Sequence, residues 1–558
     1  MPGRRGLPAA SSVVALAAVG WTLVGAGQSA DAVGAVAPRA AVAHAVTVGA
    51  GTTGTAAAGT VWTGTWSVSP QSGGASFNQQ TLRQIVRTSI AGTSVRVQIS
   101  NVFGSQPLAI SDVHVAQRSS GSATTSGTDH TVTFAGQSST TIPAGGLVAS
   151  DAIAVSVPAL SDVAVSIYLP QPTGASTYHQ QGTATNYIAS GDVSGNSTLS
   201  GAQTTGSYYF LTSLDVQNTA AVGSVVALGA SITDGVASAT DSNHRWPNYL
   251  ADRLVSSGRD VGVLNQGISG NRLLVDGAGQ SAINRFGRDV LTQPGAKWVI
   301  FSDDPLNDLG STSPQPTAGQ LITGAQQLIS AAHQSGLKFL CSTLTPYQGA
   351  GYWNQSGENA REAYNSFVRG SGSGCDAVVD QDNATHDPSN PTRYLPAYDS
   401  GDHLHPNEAG MQAIANAVDL NLFGPPGSPV VSLRAHADNM IVTAENAGAA
   451  PLIANRTWIQ TWEMFDLITN PDGSVSLRAH ANNMIVCADN AGASPLIANR
   501  TAIGPWESFD LINNPDGSVS FRAHANGDIV TAENAGASPL IANRTAIGPW
   551  EEFDLIYD

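Results

Sequence analysis

Gly223-Ser224-Val225-Val226-Ala227-Leu228-Gly229-Ala230-Ser231-Ile232-Thr233-Asp234-Gly235 holds a strand and the turn that leaves it. Val225, Val226, Ala227 and Leu228 are apolar without alternation, the pattern of a short strand covered on both faces. Glycines on either side of Ser231 permit a tight strand-to-helix turn that exposes the hydroxyl. Downstream, helical patterns over 246–255, 282–291, 318–332, 359–368 and 408–422 alternate with apolar runs at 261–264, 298–301, 338–341 and 377–379. Such alternation predicts an α/β domain in which helices sandwich a parallel sheet, with ligands taken up at the carboxyl ends of the strands.

The residues that carry chemistry fall at those ends. Ser231 follows the first strand, where helix N-terminal N–H groups favour a developing negative charge; in isolation it reads equally as a turn or capping serine. Asp402-His403-Leu404-His405-Pro406 lies between the fifth strand and the last helix. An Asp three residues before a His can hold the imidazole from behind and stabilise its cation. Read alone, the pair is an acid near a helix start beside a surface histidine. His403 competes for the role but lacks the Asp-x-x-His spacing. Asn307-Asp308 follows the third strand, and 265–272, with Gly270 in it, follows the second. A side-chain amide and a glycine N–H there suit an oxyanion, although each stretch also reads as a polar turn. Together they supply nucleophile, base, orienting acid and donors along one sheet edge.

With these blocks, residues 223–423 resemble the SGNH/GDSL hydrolase superfamily. Gly229-Ala230-Ser231-Ile232, Ser269-Gly270-Asn271, Asn307-Asp308 and Asp402-x-x-His405-Pro406 stand where its four motifs stand. The resemblance implies a three-layer, flavodoxin-like α/β/α fold. It makes Ser231 the nucleophile, His405 the general base and acid, and Asp402 its orienter. The Ser231 and Gly270 N–H groups and the Asn307 side chain would form the oxyanion hole. The chemistry is acyl transfer through an acyl-serine, with no metal or organic cofactor. Two departures stand out. Ala230 replaces the usual Asp of Gly-Asp-Ser, which implies altered local hydrogen bonding. Pro305 precedes Leu306-Asn307, where the loss of an N–H and a fixed φ can shift Asn307. Asp303 and Asp304 add negative charge that either acts on His405 or is solvated.

Either side of this domain the sequence is β-like. Residues 62–215 contain alternating runs at 94–100 and 163–169, punctuated by Gly, Ser and Thr, and predict an antiparallel sandwich without a catalytic cluster. They resemble the β-sandwich that precedes the catalytic domain in some bacterial SGNH esterases. After a Gly/Pro linker at 424–429, Arg434-Ala435-His436 recurs 44 residues later as Arg478-Ala479-His480, and after 44 more as Arg522-Ala523-His524. Trp462, Trp506 and Trp550 keep the period, as do Phe465, Phe509 and Phe553. Three copies predict a closed threefold β-trefoil over 430–558, which resembles fascin-like modules of secreted bacterial enzymes. The three tryptophans either stack on sugar rings or, as expected here, fill the barrel core. The repeated histidines are expected to be structural.

Composition sets the outer bounds. The 558 residues fit about three to four domains. A net charge of −17 disfavours nucleic acid as partner. Arg4 and Arg5, an apolar run over 12–26 and Ala30-Asp31-Ala32 form the pattern of a secretory signal peptide over 1–32, too short to span a membrane, and 33–61 reads as a flexible tether. Of three cysteines, Cys341 and Cys375 can pair on export, while Cys487 stands where the sister repeats have Thr443 and Thr531. No cysteine or histidine spacing suits zinc. The expectation is a secreted, monomeric serine esterase acting on an acylated polysaccharide. A lipase or phospholipase is the second reading, and a carbohydrate-binding protein with an impaired catalytic site the third.

Overall fold

A computed structural model describes residues 62–423, 429–470 and 472–557. The expected signal peptide, the tether and most of the Gly/Pro linker lie outside the described residues. Within them, no helix is long and apolar enough to cross a membrane.

Five strands form the central sheet: β1 (Gly223–Gly229), β2 (Val261–Gly267), β3 (Ala296–Phe301), β4 (Lys338–Ser342) and β5 (Ala377–Val379). Their order is β2-β1-β3-β4-β5, and every pair is parallel. The chain runs outward from β1 in one direction to β2 and in the other from β3 to β5. The carboxyl ends of β1 and β3 therefore border the crevice where such sheets bind ligands. All seven residues of β1 are buried, as the unbroken apolar run requires. Helices Trp246–Ser256 and Glu408–Asn416 pack on each other, and so do Ala318–Gln334 and Gln355–Arg369. Their apolar faces join the strands in one core.

Side-chain caps fix several helix starts. Thr317 and Gln320 form a capping box, and Asn354 and Asn407 accept N–H groups of Gly357 and Gly410. The Asn354 cap starts its helix four residues before the apolar pattern announces it. The helix expected over 282–291 passes into a π-turn at Gly287–Leu291, and that expected over 408–422 ends at Asn416, with a 3-10 turn at Leu420–Phe423. A disulfide joins Cys341 on β4 to Cys375 before β5, while Cys487 is free and buried.

Residues 62–217 form antiparallel sheets. Trp62–Ser67, Leu211–Gln217, Ser94–Ser100 and Leu147–Ala149 are neighbours in one. In another, Asp162–Leu169 lies between Gln80–Arg87 and Leu108–Ser120. Val95, Val97 and Ile99 of the first share a core with Val163, Val165 and Ile167 of the second. Trp62–Ser67 also lies against β2. A Cβ on Gly262 of β2 would stand 2.0 Å from the Gly64 carbonyl oxygen, so glycine is what permits this approach.

In the C-terminal segment, Val430–Ala435, Phe465–Thr469, Val475–Ala479, Phe509–Asn513, Val519–Ala523 and Phe553–Tyr557 each pair with the next, and the last returns to the first. The result is a closed six-stranded barrel, and three further hairpins extend from it. Phe465, Phe509 and Phe553 are at most 1% exposed and fill it. The expectation for the tryptophans is corrected: Trp462, Trp506 and Trp550 are each 38% exposed. They sit in turns before the barrel strands, and it is their backbone carbonyls that serve the fold, accepting from Ala444, Ala488 and Ala532 N–H at 2.7–2.8 Å. Phenylalanine and leucine already fill the interior. His436, His480 and His524 pair with Asp554, Asp466 and Asp510 at 2.7–2.8 Å, a structural use repeated three times.

Candidate active site

Ser231 opens a single-turn helix, Ser231–Asp234, directly after β1, and Gly235 closes the turn at φ 105°. Its Oγ lies 2.9 Å from His405 Nε2, and His405 Nδ1 lies 2.6 Å from Asp402 Oδ2. The carboxylate only accepts, so the imidazole places its proton on Nδ1 and offers Nε2 to the serine hydroxyl. Asp402 Oδ1 also accepts the N–H groups of Leu404 and His405, both at 2.9 Å. Partial burial pushes the Asp402 carboxyl up, but the bonds from the His405 ring and these two N–H groups outweigh it and hold the carboxyl at about 2. The neighbouring His403 turns away and pairs with Asp399.

The Ser231 turn is held by a residue expected to act otherwise. Asp303, just past β3, is 3% exposed and accepts Ala230 N–H at 3.0 Å, Ile232 N–H at 2.8 Å and the Thr233 hydroxyl at 2.7 Å. It is neither solvated nor in contact with His405. Ala230, buried where the resembled family carries Asp, has no side chain to make such bonds, and Asp303 provides the carboxylate from across the crevice. Asp304 is fully buried, with Arg285 at 3.4 Å. Burial pushes its carboxyl up to about 7, with Arg285 opposing and Asp303 and Asp308 adding to the rise.

Arg285, equally buried, ties the rim together. It donates to the Gly229 and Gln266 carbonyls at the ends of β1 and β2, to Asn271 Oδ1 and to Ser69 Oγ, at 2.6–3.1 Å. Gly270 lies in the next loop at φ 77°, a left-handed conformation that favours glycine. Preceding it, Ser269 donates through N–H and Oγ to Asp234 Oδ2 at 2.9 and 2.6 Å. Asp234 in turn meets His179 Nε2 at 3.1 Å, so a histidine from the N-terminal segment reaches the back of this rim. Asn307 Nδ2 donates to the Asn271 carbonyl at 2.9 Å, and its Oδ1 accepts from Tyr352 at 3.2 Å. This fixes the amide orientation and leaves the second Nδ2 hydrogen for another acceptor.

The N–H that Pro305 lacks costs the helix carrying Asn307 no internal hydrogen bond. Helix Asp304–Ser311 begins one residue before the proline, where first-turn N–H groups need no helical acceptor. Asp308 then holds the Leu273 and Leu274 N–H groups at 2.5 and 3.2 Å, with burial pushing its carboxyl up to about 6 against those bonds.

Thus Ser231, His405 and Asp402 form one hydrogen-bonded chain, while Asn307 reaches the loop that holds Gly270 through the Asn271 carbonyl. Asp303, Arg285, Asp234 and His179 were not legible as site residues. The Asp-Asp-Pro run after β3 was the one available signal. Among the described residues, the group with metal-ligand geometry is His436, Asp516 and Glu552, whose ligand atoms lie within 4.8 Å on the surface of the C-terminal barrel.

Residues 225–418 match the family described as GDSL-like Lipase/Acylhydrolase, and this segment is a GDSL-type acylhydrolase domain. Among solved structures, a GDSL-like lipase from Bacteroides thetaiotaomicron is similar at 16% identity, with 35% of this chain and 85% of that one covered and a TM-score of 0.28. LAE5, an alpha/beta hydrolase enzyme from the metagenome of Lake Arreo, Spain, is similar at 23% identity over 36% of this chain and 94% of that one, with a TM-score of 0.28. ThreeFoil, a designed threefold symmetric protein, is similar at 21% identity over 23% of this chain and 97% of its own, with a TM-score of 0.22. No curated protein matches the chain.

Proposed function

We propose that the chain, with its GDSL-type acylhydrolase domain, is a secreted serine ester hydrolase that removes acyl groups from a polysaccharide. The observation that carries the catalytic reading is the Ser231–His405–Asp402 chain of 2.9 and 2.6 Å contacts. Ser231 Oγ attacks the ester carbonyl as its proton passes to His405 Nε2. The oxyanion is stabilised by the Ser231 and Gly270 N–H groups and the free Asn307 amide hydrogen. His405 then protonates the leaving alkoxide, which departs as the alcohol and leaves an acyl-serine. A water, deprotonated by the same Nε2, attacks this ester; His405 returns the proton to Ser231 as the carboxylic acid leaves. Asp402 keeps the imidazole tautomer and stabilises its cation.

The polysaccharide part rests on the flanking segments. We read 430–558 as a β-trefoil, a reading supported by the closed barrel with three hairpins. The outward tryptophans, 38% exposed in each repeat, support its use in binding sugars. We read 62–215 as a β-sandwich, supported by the core that two of its sheets share, and the chain as a monomer. The leader-like N-terminus supports export. Against an impaired enzyme stand Asp303, which holds the turn where the Ala230 side chain makes no bond, and the position of Pro305 in the first turn of its helix.

The test is turnover of p-nitrophenyl acetate and acetylated xylan by the parent and by Ser231→Ala. The expected outcome is a loss of at least about 10^4-fold in kcat with unchanged folding. Equal rates in the two proteins would refute the serine mechanism.

A further inference from the structure

Beside the oxyanion loop lies a cleft of about 350 Å³, within the size range of small-ligand sites. One wall is the 276–280 loop of the acylhydrolase domain; the other comes from the N-terminal sheets, with Ser72, Phe103, Tyr178 and Gln180. Gln71 clamps the two: its Nε2 donates to the Ala278 carbonyl at 2.9 Å, and its Oε1 accepts Gln180 N–H at 3.0 Å. The cleft also abuts the proposed oxyanion hole. A Cβ on Gly270 would stand 3.2 Å from that of Ala278, and Asn271 Nδ2 donates to the Gln280 carbonyl at 2.8 Å. Next to Gln180, Gln181 Oε1 lies 3.2 Å from Ser269 Oγ.

The lining selects among ligands. No cationic side chain lines the cleft, which disfavours a phosphate or other anionic head group. Amides, a serine hydroxyl and exposed backbone dominate it, which disfavours an acyl chain. Tyr178 and Phe103, the latter with the Arg288 guanidinium 5.3 Å from its centroid, stand among amides, a hydroxyl and the Asp276 carboxylate, hydrogen-bonding groups that suit a polyhydroxylated, uncharged ring. We infer that this cleft is a subsite for the sugar part of the ester, so that the N-terminal segment selects the alcohol while the acylhydrolase domain performs the chemistry. This rests on the serine-esterase reading above for its link to turnover, though not for its binding chemistry.

Two exposed positions allow a test in the full chain. Ser72→Trp fills the cleft, and Gln180→Ala removes a side chain whose backbone N–H keeps its bond to Gln71. Substrates are p-nitrophenyl acetate, which has no sugar, and acetylated xylo-, manno- and chito-oligosaccharides. Ser72→Trp is expected to lower kcat/KM by about tenfold or more on at least one oligosaccharide class, mainly through KM, and to leave p-nitrophenyl acetate unchanged. Gln180→Ala is expected to show a smaller fall on the same class. Parent-like kcat/KM on every oligosaccharide in both variants would overturn the inference. So would an equal fall on all substrates in Ser72→Trp with no selective effect in Gln180→Ala. If the parent hydrolyses no ester, the esterase reading fails, and calorimetric titration with the unacylated oligosaccharides decides the cleft: loss of one binding equivalent in Ser72→Trp supports it, identical isotherms refute it.

Discussion

At the scale of single residues, Asp303 and Asp402 divide two jobs that one carboxylate cannot do. Asp303 accepts three hydrogen bonds from the turn that presents Ser231, and that turn has no side-chain cap of its own. Asp303→Ala strands two buried N–H groups, each costing roughly 1–3 kcal/mol, and lets the Ser231 hydroxyl drift, a displacement that, on the proposed mechanism, costs about 100-fold in kcat. The expectation is a lower urea midpoint and a kcat loss of that order on p-nitrophenyl acetate; a parent-like kcat would show that the turn stands without it. Asp402 works on the imidazole. With its carboxyl at about 2, it is protonated only below that pH, so its charge is present above it and lost as pH falls through it. The acid limb of kcat/KM in the parent should therefore follow one ionisation down to about pH 3; a two-proton fall there would contradict this. Asp402→Asn removes the charge and should lower kcat by about 10^2 to 10^4. Ser231, Asp402 and His405 were legible because the partners of the histidine lie in local motifs: a serine ending an apolar strand, and an acid at i−3. Asp303 and Arg285 were not, because their partners come from the ends of other strands, and no local spacing encodes a contact across a sheet.

At the scale of elements, burial is used to brace the rim, at a cost that pH exposes. Helix Asp304–Ser311 places Asp304 and Asp308 inside, with carboxyls raised to about 7 and about 6. Both stay protonated in the folded chain at pH values where the unfolded chain, near 4, has ionised them. The unfolded state then binds fewer protons, so the contribution of these two groups to stability is full below about pH 4 and falls as pH rises, toward about 6 for Asp308 and about 7 for Asp304, by up to about 1.4 kcal/mol per pH unit for each group. Asp304→Asn should flatten that fall, read from urea midpoints at pH 4, 5, 6 and 7; an unchanged slope would assign the titration elsewhere. The strand Ser176–His179 braces the same rim from another segment of the chain. His179 joins the Ser69 carbonyl at 2.9 Å to Asp234, which carries the Ser269 loop. His179→Ala should lower kcat about tenfold with KM little changed, and His179→Gln, which retains a donor, should recover most of it. Element order and strand positions were legible because apolar runs and helical periods are local. The Asn354 start and the π-turn at Gly287–Leu291 were not, since caps and turn geometry override the apolar pattern at helix ends.

At the scale of the whole molecule, the 44-residue period implied closure, because three like units bury their apolar faces only against one another. The period alone could not say which repeated ring points inward. Trp462 and Phe465 recur equally, and the difference is set by the turn that ends just before each barrel strand. That the tryptophan rings face out while their carbonyls hold the fold makes the two roles separable. Replacing all three by Ala keeps the bonds from Ala444, Ala488 and Ala532, so the thermal midpoint should move little, as for surface changes of about 0.5 kcal/mol each. If the rings hold polysaccharide, the triple variant should lose retention on insoluble acetylated xylan and turn it over more slowly, while p-nitrophenyl acetate is hydrolysed at the parent rate. Tethering raises local substrate concentration without touching the chemical step, so the loss should vanish on soluble esters. Parent-like retention would refute sugar binding by these rings, and an equal loss on both substrates would mean that the barrel supports the catalytic fold instead of delivering it to a surface.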